Sequence, residues 1–325
     1  MNPLFNRRAV LAGLGALPIV GTSAWAQDKW PTKPLRFILP YPAGGTPDGL
    51  MRMVAEQLTR LLGEPAIVEN SPGASGLIGM RAVSKGQADG HTFAYLSAGQ
   101  VTLDAMNPKF DLLKELKPVV RMSNSPFVAV VNSSSPIMTM GDLIAAVQAK
   151  PGQVPYGTAG RGSPAFMAVE YLADAIKNFR ALEVPYKGAV ESINAILGEQ
   201  IDFSILVLGA AVPHIKSGRL RALAVTTSNR VPLLPDVPTV AEATSTKYEF
   251  NSWGGLAMHI ATPDDIVMQA AMAVTKAMNA NPVKALLAAN GSVEGLSSSP
   301  GAFANQIRTS VAAERVIMQR LGLRQ

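Results

Sequence analysis

The chain has 325 residues, of which 48% are hydrophobic and 16% charged, and its formal net charge is +6. This length and balance fit one or two globular domains and exclude a disordered or fibrous chain. The sequence contains no cysteine, which predicts a protein without disulfides and without an N-terminal lipid anchor. It also contains no basic stripe with interleaved aromatic residues, so we expect no nucleic-acid partner.

The N-terminal segment has the three parts of a secretory signal. Arg7 and Arg8 are followed by an apolar stretch over residues 9–20 and by a small-residue exit that ends at Ala26. No apolar run reaches the roughly 18 to 20 residues that a membrane-spanning helix needs. We therefore predict a signal peptide over residues 1–26, cleaved near Ala26, and a periplasmic protein. The paired arginines leave the general secretory and twin-arginine routes both open.

Beyond the signal, short apolar runs rich in branched residues alternate with helical patterns. These runs cover residues 35–39, 66–68, 92–96, 127–131, 203–206 and 220–225. Strands that alternate with helices predict parallel sheets and an α/β fold class. The roughly 300 remaining residues exceed the usual size of one such core, so we expect two α/β domains.

Two segments are candidates for the crossings between these domains. The run at residues 127–131 is followed by the loop-like sequence Asn-Ser-Ser-Ser-Pro, and the second segment, residues 233–248, lies where Pro232, Pro235 and Pro238 fall within seven residues. Two crossings create a hinge with an interdomain ligand cleft beneath it. The predicted boundaries are domain 1 over residues 27–126 plus 248–325, and domain 2 over residues 127–247.

The strongest local signal is the glycine turn at residues 41–48, which begins at Tyr41 and joins a strand to a helix expected from about Gly49. The adjacent glycines let backbone N–H groups approach a ligand, and a helix start carries a partial positive charge. Together these features predict an anion site. The alternative is a purely structural turn in which Asp48 is the N-cap of the helix.

Similar turns recur along the chain, at residues 70–79, 156–163 and 184–188. The turn at residues 70–79 again lies between a strand and a helical pattern. Helix starts at the carboxyl ends of parallel strands lie where open α/β sheets usually bind ligands. The four turns therefore predict a cleft lined from both sides by amides and hydroxyls.

Several motifs in this order resemble the tripartite tricarboxylate transporter receptor family, also called the Bug solute receptors. The matching motifs are WPTKP at residues 30–34, GGTPD at 44–48, ENSPGASG at 69–76, FDLLK at 110–114, PYKG at 185–188, PHI at 213–215 and LPDVPTVAE at 234–242. The resemblance extends from residue 30 to the C-terminus.

The resemblance implies a periplasmic binding protein of type II, with two α/β domains joined by a hinge and a ligand carboxylate held by the first two glycine turns. It assigns the carboxylate pincer to Gly44, Gly45, Thr46, Gly73, Ala74 and Ser75. It assigns the opposite wall to Thr158, Gly160, Ser163, Tyr186, Lys187 and Gly188. Tyr41, Asp48 and Leu206 complete the candidate set. The implied ligand is a di- or tricarboxylate or an aromatic carboxylate.

The same resemblance implies the protein's partners. They are the small carboxylate ligand and a membrane permease with one large and one small subunit. We expect a monomer that needs no cofactor and no metal.

Two departures from the family pattern bear on the ligand. Leu206 stands where relatives often carry a second aspartate, and Phe166 stands where a histidine usually follows the Gly-Ser turn. Both changes remove polar groups from the second wall and so disfavour an amino-acid ligand. The alternative is that both side chains face the core.

The sequence offers little to an enzyme. His91, His214 and His259 are far apart and have no metal-ligand spacing. We therefore expect no catalysis. The alternative enzyme is a secreted α/β hydrolase with Ser75 or Ser163 as its nucleophile, and a further alternative is a sensor that reports ligand to a membrane receptor.

Overall fold

The computed structural model describes residues 30–107, 110–320 and 322–323, without the side chain of Ser75. The predicted signal peptide at residues 1–26 lies outside the described residues. Within the described ranges, no helix combines the length and the apolar character needed to cross a membrane.

The described residues form strands of two to 17 residues. These are β1 (Leu35–Leu39), β2 (Ala66–Asn70), β3 (Thr92–Ser97), β4 (Leu116–Asn132), β5 (Pro155–Thr158), β6 (Leu182–Pro185), β7 (Phe203–Val207), β8 (Leu220–Val225), β9 (Asn251–His259) and β10 (Val293–Glu294).

Helices separate most of these strands. They are α1 (Thr46–Leu62), α2 (Leu77–Ser84), α3 (Ala98–Met106), α4 (Leu112–Glu115), α5 (Met140–Ala149), α6 (Pro164–Ala175), α7 (Ala189–Leu197), α8 (Leu208–Lys216), α9 (Val240–Thr244), α10 (Asp264–Met278), α11 (Asn281–Ala289) and α12 (Pro300–Arg320). A short 3₁₀ helix over Ala74–Gly76 precedes α2.

The long strand β4 belongs to two sheets. Residues 116–126 of this strand pair antiparallel with β9, and residues 127–132 pair antiparallel with β7 and β8. The first sheet has the order β2-β1-β3-β9-β4, and the second runs from β4 through β7 and β5 to β6. We call each sheet with its helices the first lobe and the second lobe.

The strand directions correct one expectation. The α/β class is confirmed, but the sheets are mixed rather than wholly parallel. Strands β1, β2 and β3 pair parallel, as do β5, β6 and β7, whereas β4, β8 and β9 pair antiparallel. Because β4 leads out of the first lobe and β9 leads back into it, the two strands lie side by side in opposite directions.

Each sheet buries both of its faces. Successive residues of a strand point to opposite sides, and helices cover both sides. In β1, Phe37 packs in the cluster with α1 and α10, and its neighbour Ile38 packs in the cluster with α2 and α12. In β4, Phe127 and Val128 likewise enter opposite clusters of the second lobe. Near-continuous apolar strands follow from this two-sided burial.

Helix α12 contacts both lobes. Phe303 is buried in a core cluster of the first lobe, and Met318 is buried in the core of the second. Arg320 Nη1 donates to Asp174 Oδ2 on α6 over 2.9 Å. The helix is therefore a third link between the lobes, in addition to β4 and the segment that leads into β9.

A buried acid on α12 makes stability depend on pH. Glu314 is 8% exposed, and its Oε2 has no hydrogen-bond partner among the described residues. Burial raises the pKa of this carboxyl from 4.5 to about 7, and a hydrogen bond with Thr102 opposes the rise only in part. Since the folded state holds the proton more tightly than the unfolded state, stability falls as pH rises through this window.

We expect Glu314→Gln to raise the free energy of unfolding at about pH 8 by about 1–3 kcal/mol, because the amide carries no charge to desolvate. Urea unfolding at about pH 5 and pH 8 measures the effect, and the fall in stability between these pH values should become smaller. Glu249→Gln, at an exposed position, should leave the slope in place. An unchanged slope in Glu314→Gln would contradict the assignment.

Candidate functional site

A cavity lies between the two lobes. Its volume, counted as the space that the centre of a water molecule can occupy, is about 120 Å³. This is on the order of ten times what one buried water needs. From the first lobe it is lined by Tyr41, Gly45, Thr46, Tyr95 and Trp253, and from the second by Phe127, Thr158, Ser163, Gly188 and Leu206. We call this space the first cavity, and it is large enough for a small organic ligand.

A second cavity adjoins the first. Its volume on the same measure is about 150 Å³, and it borders the second glycine turn at Gly73 and Ala74 and the second lobe at Tyr186 and Lys187. Tyr41, Ala159, Ser163 and Pro164 line both cavities. A ligand at this shared wall can reach both glycine turns.

The first glycine turn leads into α1 without a side-chain cap. Gly44 has a φ of +84°, whereas Gly45 has a φ of −78° and is the N-cap residue of α1. The first amides of a helix have no partner inside the helix. Gly45 and Thr46 therefore place unpaired helix-start amides along the first cavity.

Gly44 and Asp48 bond to each other within the first glycine turn. The Gly44 amide donates to Asp48 Oδ2 over 3.0 Å, and Gly44 lines a third cavity, which Gly45 and Thr46 also line. The same carboxylate accepts hydrogen bonds from Arg52 Nε and Asn70 Nδ2, each over 3.0 Å. Asp48 itself does not line any of the three cavities.

Asp48 is a buried residue in the first turn of α1, not its N-cap as the structural alternative holds. Burial raises the pKa of its carboxyl, but the hydrogen bonds from Arg52, the Gly44 amide and Asn70 together outweigh burial and lower it. Asp48 therefore stays ionised and fixes the turn against the end of β2.

Several other helix starts meet the same space. The 3₁₀ helix at Ala74 borders the second cavity, as does the start of α3 at Gly99, and Pro164 and Ala189 begin α6 and α7. Each helix start carries a partial positive charge that is stabilised by anions. The space formed by the two cavities therefore favours a negatively charged group.

The third glycine turn is built around two hydroxyls. Thr158 Oγ1 donates to Glu183 Oε1 over 2.8 Å and accepts from the Gly160 amide over 2.9 Å. Ser163 Oγ accepts from the amides of Ala159 and Phe166 over 3.2 and 3.3 Å. Thr158 and Ser163 line the first cavity, but Gly160 lies within the turn and lines none of the three cavities.

The two residues that depart from the family pattern, Leu206 and Phe166, lie in different environments. Leu206 is buried and lines the first cavity, so it contributes an apolar surface to the ligand wall. Phe166 is buried in the core of the second lobe and is absent from the linings of the three cavities. For Phe166, the alternative of a core position is correct.

Sequence reasoning missed one charged residue of the site. Glu191 lines the first cavity from the first turn of α7, and it is the single charged residue among the described residues that do so. The PYKG motif ends only three residues before it, but nothing local in the sequence separates Glu191 from an ordinary acid at a helix start.

Among the described residues, no serine–histidine pair lines the first or second cavity. The hydroxyl of Ser163 serves as the cap of α6, and no histidine lines the first or second cavity. The described residues also contain no group of three or more His, Cys, Asp or Glu side chains that could hold a metal ion.

Comparison with known proteins places the chain in a family. Residues 50–323 match the model described as tripartite tricarboxylate transporter family receptor. The chain is 32% identical over 282 residues to the UPF0065 protein of the tcbD-tcbE intergenic region of Pseudomonas sp. (strain P51), covering 86% of this chain and 84% of that protein. It is 32% identical over 269 residues to BugT of Bordetella pertussis, covering 81% and 82%.

Solved structures share the fold. The periplasmic binding protein BugD is similar with a TM-score of 0.85 at 26% identity, over 91% of this chain and 99% of that one. Rpa4515 of R. palustris with adipate has a TM-score of 0.84 at 28% identity, over 90% and 98%. MatC of Rhodopseudomonas palustris with bound malate has a TM-score of 0.83 at 25% identity, over 88% and 99%.

The fold is thus the two-domain α/β fold of periplasmic binding proteins, and the resemblance seen in the sequence motifs is confirmed. The chain belongs to the tripartite tricarboxylate transporter receptor family.

Proposed function

We propose that this protein is a periplasmic receptor that captures a small carboxylate between its two lobes and catalyses no reaction. One observation carries the proposal: helix starts from both lobes line the two adjoining cavities. Unpaired amides at helix starts bind carboxylates through charge-assisted hydrogen bonds. Gly45 and Thr46 from the first turn, with Gly73 and Ala74 from the second, would hold the carboxylate.

The related structures support this ligand class. Two neighbours that share the fold hold the carboxylates adipate and malate. Aromatic side chains and serine hydroxyls line the first cavity beside the helix starts. We infer that the carboxylate lies at the shared wall and that the rest of the ligand lies in the first cavity.

We infer that the lobes close over the ligand about a hinge formed where β4 passes from the first sheet to the second. Residue 126 pairs in the first sheet and residue 127 in the second, which supports the domain boundaries 27–126 plus 248–325 and 127–247. A partner protein can distinguish the liganded from the unliganded receptor if it binds only the closed arrangement of the two lobes. That partner would be the family's membrane permease, which has one large and one small subunit. The receptor itself would be a monomer.

A thermal-shift screen of mono-, di- and tricarboxylates on the mature protein tests the function. At a hundredfold excess over its Kd, a true ligand adds about 2.7 kcal/mol to the free energy of unfolding. Uncharged amides of the same carbon skeletons are the matched controls and should leave the melting temperature unchanged. A panel in which no carboxylate raises it would overturn the proposal.

Export is tested separately. If the signal at residues 1–26 is removed on export, intact-mass analysis of protein from the periplasmic fraction should give an N-terminus near Gln27. Protein from that fraction that still begins at Met1 would contradict the predicted cleavage.

A further inference from the structure

The first cavity contains an acid with one carboxylate oxygen that no described residue hydrogen-bonds. Glu191 is partly buried on α7, and its Oε2 is shielded from solvent with no hydrogen-bond partner among the described residues. Buried polar atoms are nearly always paired in folded proteins. An unpaired carboxylate oxygen in a ligand cavity therefore indicates a donor that arrives with the ligand.

The position of Glu191 is fixed by its surroundings. It follows the N-cap residue Gly188 of α7, and a Cβ atom added at Gly188 would lie 3.7 Å from Glu191 Oε2 and 3.4 Å from Cδ of Pro42 in the first lobe. The carboxylate thus lies near the contact between the lobes. The start of α7 favours a negative charge at this position.

The charges around the two cavities are unequal. No Lys, Arg or His side chain lines the first cavity in the part of the chain that the structure describes, and Lys187 lines the second. A second carboxylate of a ligand in the first cavity would meet Glu191 with no cation nearby. Like charges at close range are unfavourable, and more so where water is excluded.

We propose that Glu191 is a specificity-determining residue that accepts a hydrogen bond from a hydroxyl or ammonium group of the ligand, so that the receptor prefers a monocarboxylate bearing such a donor to a dicarboxylate. This inference rests on the proposed function. Leu206 and Phe166 led to the expectation that an amino-acid ligand is disfavoured. This inference reverses that expectation, because Glu191 supplies the carboxylate that an ammonium group needs.

Calorimetry with six-carbon acids tests the preference. The series is hexanoate, 2-hydroxyhexanoate, 6-hydroxyhexanoate, 6-aminohexanoate and adipate. The hydroxy acids place a hydroxyl at either end of the chain, and the amino acid distinguishes an ammonium from a hydroxyl. We expect at least one donor-bearing acid to bind about tenfold or more tightly than both hexanoate and adipate.

Glu191→Gln removes the charge and keeps the shape of the side chain. We expect it to weaken the preferred donor-bearing acid about tenfold and to strengthen adipate, so that the ratio of their Kd values changes by more than about tenfold. Glu199→Gln is the matched control, because Glu199 lies past the end of α7 and bonds Ser134 outside all three cavities. It should change neither affinity.

The outcomes separate this inference from the proposed function. If adipate binds at least as tightly as every donor-bearing acid, or if Glu191→Gln changes neither affinity, the role of Glu191 is wrong while carboxylate capture stands. If neither this series nor the wider carboxylate screen yields a ligand, both proposals fail together.

Discussion

Gly45→Val should weaken carboxylate binding at least a hundredfold while the protein stays folded. Gly45 has a φ of −78° and a ψ of 167°, a conformation that valine adopts readily. A Cβ atom there would lie 3.7 Å from Cδ of Pro47, so the turn itself has room. The branched side chain would occupy the space in front of the helix-start amides. Each charge-assisted hydrogen bond contributes about 1.5–3 kcal/mol, so the loss of two accounts for the expected factor.

Calorimetry with the ligand from the carboxylate screen measures this effect, and urea unfolding of the free protein checks the fold. Gly49→Ala is the matched control on the same helix, because a Cβ atom at Gly49 meets nothing within 4 Å and Gly49 does not line the first or second cavity. The control should keep wild-type affinity and gain about 0.5–1 kcal/mol of stability. A folded Gly45→Val protein with wild-type affinity would show that the carboxylate binds elsewhere.

Gly188→Val should weaken binding by about ten- to a hundredfold by holding the lobes apart. Gly188 has a φ of 172°, which any residue adopts, so the substitution does not strain the backbone. A Cβ atom there would lie 3.4 Å from Cδ of Pro42 across the cleft, and the γ-carbons of valine would need the space that Pro42 occupies. Overpacking of this kind costs about 1–3 kcal/mol. We infer that this structure is the closed form, because Gly188 and Pro42 lie close together across the cleft, and we therefore expect that cost to fall on the closed form.

Affinity and shape should change together in this variant. Small-angle X-ray scattering at saturating ligand should give a larger radius of gyration for Gly188→Val than for the wild type. Gly188→Ala adds only the Cβ atom at an ordinary contact distance and should bind within about threefold of the wild type. Equal radii and equal affinities for Gly188→Val and the wild type would contradict closure at this contact.

The strands were largely predictable from the sequence, and their pairing was not. Each predicted apolar run lies within an observed strand, because burial of both sheet faces leaves a continuous apolar signature. The strands β5, β6, β9 and β10 were not among the predicted runs. In β9, Trp253 is followed by Gly254 and Gly255, a sequence that looks like a turn. A Cβ atom at Gly254 would lie within 3.0 Å of Cζ of Tyr95, a close approach that only the assembled sheet reveals.

The candidate site was also predictable only in part from the sequence. The glycine turns and their hydroxyls were predicted because turn residues and helix starts are local features of the chain. The helix α1 begins at Thr46, three residues before the expected Gly49, because Gly45 rather than Asp48 is the N-cap. The three-way hydrogen bonding of Asp48 depends on Asn70 from another strand and could not be inferred from the turn alone.

The sequence by itself determined the α/β class, the four glycine turns, the family and the expected export, because each depends on residues close together in the chain or on motifs in a fixed order. The tertiary structure decided the mixed sheets, the link that α12 makes between the lobes, and the position of Glu191 in the first cavity. These features arise from contacts between residues far apart in the chain. An unpaired acid at a helix start has the same local sequence whether it faces solvent or a ligand, and only the packing of the lobes distinguishes the two.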